Sequence, residues 1–206
     1  MDECTIAAIV GRRGSGKSSL MKLMAAGDRR TLAWDWRGEY VGELVTLDDL
    51  PQLFTRKAFT AVYRPDRRQK LLAEFDGLGF ALTELECSDF TLVVDEVWQI
   101  THGYDDSRIC QMLRVTRPQR INILFANQRP TGVPGTLLSE ANTLDVFHIH
   151  NRADLTALSA YLPADALAAV PTLPELSYVH VNLLTREWEP RMLPPFTRAQ
   201  RRLTHA

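Results

Sequence analysis

Gly11-Arg12-Arg13-Gly14-Ser15-Gly16-Lys17-Ser18 follows an apolar run, Thr5 to Val10, and opens a helix-patterned stretch over 17–26. Glycines at this spacing let the backbone wrap closely around a polyphosphate, so that amide N–H groups and the amino end of the next helix face the negative charge. Lys17 supplies a point charge for the terminal phosphates, and the Ser18 hydroxyl is placed to ligate Mg²⁺. The residues expected to line the phosphate cradle are Gly11, Arg12, Arg13, Gly14, Ser15, Gly16, Lys17, Ser18 and Ser19.

Working outward, the segments 31–36, 59–63, 90–94, 121–127, 143–150 and 178–184 read as further strands. Helices are expected over 66–85, 106–115 and 153–161, the first weakened or interrupted by Gly77 and Gly79. Phe90-Thr91-Leu92-Val93-Val94 is a continuous apolar run, the pattern of a central parallel strand covered on both faces. The alternation predicts an α/β fold with a mostly parallel central sheet and helices on both faces, which together with the glycine loop resembles a P-loop NTPase core of RecA-like type. Ligands of such sheets bind beyond the carboxyl ends of the strands. The phosphate loop, Asp35, Asp95 and Gln128 each follow a predicted strand, so one rim is expected to collect them.

Composition bounds the rest. The chain has 206 residues, 45% hydrophobic, which suits one domain over 1–190. A basic arm, 191–206, follows, with Arg191, Arg198, Arg201 and Arg202 around Pro194-Pro195. It suits tracking a neighbour or a DNA backbone, or remaining a solvated tail. Apolar runs fall short of the ~20 residues that span a bilayer, and Met1-Asp2-Glu3 is acidic where a secretory leader is basic, so a soluble intracellular protein is expected. Cys4, Cys87 and Cys110 are odd in number and widely spaced, so neither a disulfide framework nor a zinc site is indicated. The formal net charge of −1 excludes a global basic field for nucleic acid. Of 24 basic residues only Lys17, Lys22, Lys57 and Lys70 are lysine, and arginine suits bidentate phosphate contacts.

Asp95 and Glu96 end the central apolar run. The first is placed to hold the metal through a water, the second to polarise the attacking water. Gln128, after Ile121 to Asn127, offers a neutral amide for the γ-phosphate and the lytic water. Arg114, Arg117, Arg120 and Arg129 flank that strand. One of them is a candidate finger for a neighbouring subunit's nucleotide, with a solvated basic face as the alternative. Arg67, Arg68, Lys70 and the loop 102–108 are candidate pore contacts or an ordinary exposed helix face.

Three further stretches carry a resemblance. Asp35-Trp36-Arg37-Gly38-Glu39-Tyr40, the pair Asp95-Glu96 and Ala126-Asn127-Gln128-Arg129-Pro130 resemble the D-x-x-G-E-Y, Walker B and A-x-Q-R-P motifs of the HerA/FtsK branch of P-loop ATPases. The resemblance covers about residues 5–160. It implies ATP with Mg²⁺, catalytic roles for Lys17, Glu96 and Gln128, metal ligation by Ser18 and Asp95, and a trans finger at Arg117, eleven residues before Gln128. Arg120 departs from the glycine that relatives carry. A bare motor of this size is similar to the genome-packaging ATPases of internal-membrane icosahedral viruses. The implied function is translocation of double-stranded DNA by a homo-oligomeric ring, pentamer or hexamer, at a capsid vertex, in the infected cell's cytoplasm or on the virion. A host or plasmid translocase, a P-loop small-molecule or nucleotide kinase, and a nucleotide-gated scaffold are the alternatives.

Overall fold

The computed structural model describes residues 4–66, 70–101 and 107–194; Arg67, Arg68, residues 102–106 of the candidate pore loop and the arm from 195 onward lie outside the described residues. Apolar runs build the sheet. Every residue of β1 (Ile6–Val10) and β5 (Phe90–Val94) is buried, as strands covered on both faces require. Between them lie α1 (Lys17–Ala25), β2 (Arg30–Trp34), β3 (Glu43–Val45), α2 (Leu50–Leu53), β4 (Phe59–Tyr63) and α3 (Leu71–Glu84). After them come α4 (Trp98–Thr101), α5 (Arg108–Gln119), β6 (Ile121–Asn127), α6 (Gly135–Ser139) and β7 (Thr143–Phe147). The chain continues through α7 (Arg152–Leu158), α8 (Ala164–Ala169), β8 (Ser177–Asn182) and β9 (Trp188–Met192).

These strands form one nine-stranded sheet in the order β3-β4-β2-β5-β6-β1-β7-β8-β9. The first seven run parallel; β8 and β9 join as antiparallel neighbours. The carboxyl ends of the parallel strands therefore share one rim, with β6 seated between β1 and β5.

Alternation along the strands splits the core into two layers. Ala7 and Ile9 face Leu20 and Met21 of α1, together with Val93, Leu124 and Ala126. Ile6, Ala8 and Val10 belong to the larger layer, where Phe75, Leu78 and Leu82 of α3 and Ile109 and Met112 of α5 pack on Leu92, Ile123 and Phe125. Helices thus cover both faces as expected; among the described residues α1 is the one helix that packs on the first of them, while α2 to α8 contribute buried residues to the other. Trp34 anchors the larger layer. It is fully buried, stacked on Tyr63 at 5.6 Å and edge-on to Phe75 at 5.1 Å, and truncating it to alanine is expected to cost about 3–5 kcal/mol.

Several boundaries differ from the sequence expectation for physical reasons. α3 runs unbroken through Gly77 and Gly79, because tertiary packing outweighs propensity: a Cβ on Gly79 would lie 2.5 Å from Arg108 Cγ and 3.0 Å from Met112 Sδ, so glycine is what lets α5 approach. α5 extends to Gln119 with Pro118 in its last turn, and Arg120, at φ 51°, ends it in the left-handed region. β2 stops at Trp34 since the Asp35 carboxylate turns the chain, and β7 stops at Phe147. β9 takes in Arg191 and Met192, so the sheet runs past residue 190.

Candidate functional site

The phosphate loop leaves β1 at Gly11, where φ is 153° and an added Cβ would meet Phe147 Cβ at 2.6 Å. The loop returns to helix at Gly16, the residue capping the amino end of α1, with φ 107°. Only glycine takes these two positions without strain or clash. The first turn of α1 has no side-chain cap, so its amide donors face the loop, as an anion site requires. Lys17 is buried at 6% exposure and donates from Nζ to the Arg12 carbonyl at 3.1 Å. Burial pushes its pKa down, against the opposing pull of Glu96 and Asp95. Arg12, Arg13 and Gly14 are exposed, and Ser15 is buried with a hydroxyl that has no partner among the described residues. Ser19 lies in the first turn of α1 behind Ser18.

Asp95 stands across from this loop. Its Oδ2 accepts the Ser18 hydroxyl at 2.5 Å, while its Oδ1 is buried without a hydrogen-bond partner among the described residues. Burial raises the Asp95 pKa, and the Ser18 bond opposes that rise. An orphaned carboxylate oxygen beside a serine hydroxyl fits Mg²⁺, which takes one or two protein oxygens and completes its shell with water and phosphate. Among the described residues no group of three or more His, Cys, Asp or Glu forms a cage for another metal.

In a continuing strand Glu96 would point to the face opposite Asp95. Its backbone instead turns left-handed, at φ 58°, a conformation that costs a non-glycine residue on the order of 1–3 kcal/mol. Both carboxylates are thereby close enough to act on Lys17. Glu96 is buried, its Oε1 accepts the Gln128 amide at 2.6 Å, and its Oε2 has no partner among the described residues. A carboxylate with one open oxygen beside a phosphate cradle can take a proton from water.

The sequence expectation for the rim is met in place: β1, β2, β5 and β6 deliver the loop, Asp35, the Asp95-Glu96 pair and Gln128 to the same edge. The role of Asp35 is local. Its buried carboxylate accepts the Gly38 and Glu39 amides at 2.8 Å, the Tyr40 amide at 3.1 Å and Arg64 at 3.0 Å, fixing the loop after β2. Two residues that the sequence reading quoted only as parts of motifs have contacts of their own. Asn127, 1% exposed, ties the loops together: its carbonyl accepts Gly11 N–H at 3.3 Å, its side-chain oxygen accepts Trp98 N–H, and its amide donates to the Arg129 carbonyl at 2.8 Å. A polar residue ending an otherwise apolar strand was the available signal. Arg37 is the second, with Nη2 at 3.5 Å from Glu96 Oε1.

Arg114, Arg117 and Arg120 precede β6 and are not brought to this rim, whereas Arg129 follows the strand at its rim end. Arg114 and Arg117 are exposed on α5, and Arg117 lies at the end of that helix, beside the start of β6. The seven residues of β6 separate Arg117 from the rim by roughly 20 Å. Arg120 pairs with Asp89 and Arg129 with Asp154, the latter at 3.2 Å.

A mostly parallel sheet with a glycine loop leaving its first strand at the rim is the fold of a P-loop NTPase. Neither a family model nor a curated protein sequence matches the chain. Among solved structures the fold is similar to that of the genome packaging NTPase B204 from Sulfolobus turreted icosahedral virus 2 in complex with ATP-gammaS, at a TM-score of 0.75 and 20% identity over 96% of this chain and 100% of that one. B204, the DNA-packaging ATPase from Sulfolobus turreted icosahedral virus, gives 0.68 and 18% over 96% and 100%. VirB4 of Thermoanaerobacter pseudethanolicus gives 0.62 and 10% over 94% and 90%. The resemblance to packaging-type P-loop ATPases is thus met at the level of the fold. No described helix is long and apolar enough to cross a membrane.

Proposed function

We propose that the chain is an ATP-hydrolysing motor that moves double-stranded DNA, in the service of packaging a viral genome into a capsid. One observation carries the hydrolytic part: Glu96, strained and buried, is aimed by Gln128 at a loop whose Ser18 already pairs with Asp95. Gly11 to Ser19 hold the triphosphate, Lys17 neutralises its terminal charge, Ser18 and Asp95 hold Mg²⁺, and Glu96 takes the proton of the attacking water. The bound metal supplies charge neutralisation on the phosphate oxygens. Support for the DNA part comes from the fold shared with proteins described as genome-packaging NTPases.

The same reading makes the working form a homo-oligomeric ring in the infected cell, docked at a capsid vertex. Arg117, exposed and roughly 20 Å from its own loop, then serves the neighbouring subunit's nucleotide. The deciding experiment measures phosphate release by wild type and Glu96→Gln with and without double-stranded DNA. A motor shows DNA-stimulated turnover that Glu96→Gln abolishes while nucleotide binding persists. Phosphate transfer to a small acceptor with no response to DNA would sink the reading in favour of a kinase, and negligible turnover in both proteins in favour of a scaffold. For the finger, Arg117→Ala subunits mixed with Lys17→Ala subunits are expected to regain partial activity; none at any ratio places the finger elsewhere.

A further inference from the structure

Two donors converge on one oxygen of the hydrolytic carboxylate. Gln128 Nε2 lies 2.6 Å from Glu96 Oε1, and Arg37 Nη2 lies 3.5 Å from the same atom. Arg37 comes from a different strand end, on the loop after β2, and its guanidinium sits 4.7 Å over the Trp36 ring with Nη1 3.8 Å from Glu39. It is one-third exposed, against 3% for Glu96, so it can move where its partner cannot. The loop backbone beneath it is pinned by three amide hydrogen bonds to Asp35, which leaves the side chain as the moving part.

A terminal phosphate held by Lys17 and Gln128 would occupy the space these groups surround. A guanidinium binds phosphate through two parallel N–H bonds, a better match than one 3.5 Å contact to a carboxylate. The phosphate and Glu96 therefore compete for one cation.

We propose that Arg37 senses the γ-phosphate in cis: without it Arg37 pairs with Glu96, and with it Arg37 swings onto the phosphate and releases the carboxylate. The inference rests on the ATPase reading of the site. While Arg37 and Gln128 both hold Oε1 the carboxylate is tied to the protein, and the departure of Arg37 leaves it free to turn toward water when there is a bond to cleave. The oxygen of water then bonds to phosphorus, its proton passes to Glu96, and the β,γ-bridging P–O bond breaks with its electron pair on the departing ADP.

The test compares dissociation constants for MgATPγS and MgADP in wild type, Arg37→Gln and Arg37→Lys, alongside Trp36 emission. Removing one charge-assisted phosphate contact is expected to weaken MgATPγS roughly tenfold in Arg37→Gln and leave MgADP unchanged. Arg37→Lys, which keeps the charge and loses the fork, falls between. In wild type MgATPγS is expected to shift tryptophan emission and MgADP is not, the shift vanishing in Trp36→Phe. Equal weakening for both nucleotides, or wild-type emission that does not tell them apart, overturns the inference. Wild type binding neither nucleotide would instead overturn the ATPase reading.

Discussion

Asp35→Asn exchanges an oxygen for a nitrogen at nearly constant volume, in a residue 2% exposed. In the wild type Oδ1 accepts Gly38 and Glu39 N–H, and Oδ2 accepts Tyr40 N–H and Arg64. An asparagine that keeps its oxygen at the Oδ1 place turns its NH₂ toward two donors. The Tyr40 amide then loses its acceptor, at a cost of about 1–3 kcal/mol. Arg64 is 42% exposed and returns to water, so its ion pair counts for less than about 1 kcal/mol. The two remaining bonds change from charge-assisted to neutral, weakening them by roughly half, about 1 kcal/mol together. The total is near 3 kcal/mol, within a native stability of order 5–15 kcal/mol, so the variant folds. Urea unfolding followed by circular dichroism is expected to show the midpoint lowered by about 1 M at unchanged slope. ATP turnover should fall as well, because this loop positions Arg37, the residue proposed to bind the γ-phosphate. A midpoint shift below about 0.2 M would refute the claim that the carboxylate holds the loop.

Gly16→Ala meets both a φ of 107° and Leu193 Cδ1 at 3.1 Å, so a loss of about 1–3 kcal/mol and of nucleotide binding is expected in thermal unfolding and titration; wild-type affinity in a folded variant contradicts it. Burial raises the Asp95 pKa, so the stability it contributes is fully present below its unfolded pKa and lost as pH rises through the folded one. Asp95→Asn is therefore expected to raise the ligand-free melting temperature at pH 7, with the difference closing in acid, while removing the extra stabilisation by Mg²⁺ over nucleotide alone; a lower melting temperature at pH 7 contradicts the sign. Burial pushes the Cys87 thiol up to about 11, leaving a thiolate fraction of about one in a thousand at pH 8. Iodoacetamide should leave Cys87 unmodified in the native protein and alkylate it in urea, and prompt native labelling refutes its burial.

What could be read from sequence was whatever combines a strong local pattern with a chemical signature. β1, the glycine loop and α1 announce themselves because the loop's residues are dictated by backbone geometry, and β5 does so because a doubly covered strand is apolar throughout. β3 and β9 were not legible. β3 has three residues, two of them exposed, and β9 carries Glu189, Pro190 and Arg191 on a sheet edge, where composition is that of a loop. Gly77 and Gly79 misled because propensity reads a residue alone, whereas Gly79 is set by the approach of Arg108 and Met112 from another helix. In the site, Asp95, Glu96 and Gln128 stood at strand ends and could be placed. Arg37 could not be assigned a partner, since its contact with Glu96 spans 59 residues and depends on the order of strands across the sheet.

That order explains why the parts meet. Adjacent strands lie about 4.8 Å apart, so placing β6 between β1 and β5 separates the phosphate loop from the Asp95-Glu96 corner by roughly 10 Å. Were β1 and β5 neighbours, that gap would be halved and Gln128 would no longer stand within it. α1 closes the gap on one side through the 2.5 Å bond from Ser18 to Asp95. On the other side β6 brings Gln128 to the middle of it. The neutrality of that side chain suits its position: 2.6 Å from Glu96, a second carboxylate would repel the first. An amide can donate to Glu96 and still accept from water. Asn127, one residue earlier and turned inward, fixes β6 to both flanking loops, so the strand that creates the gap also sets its width.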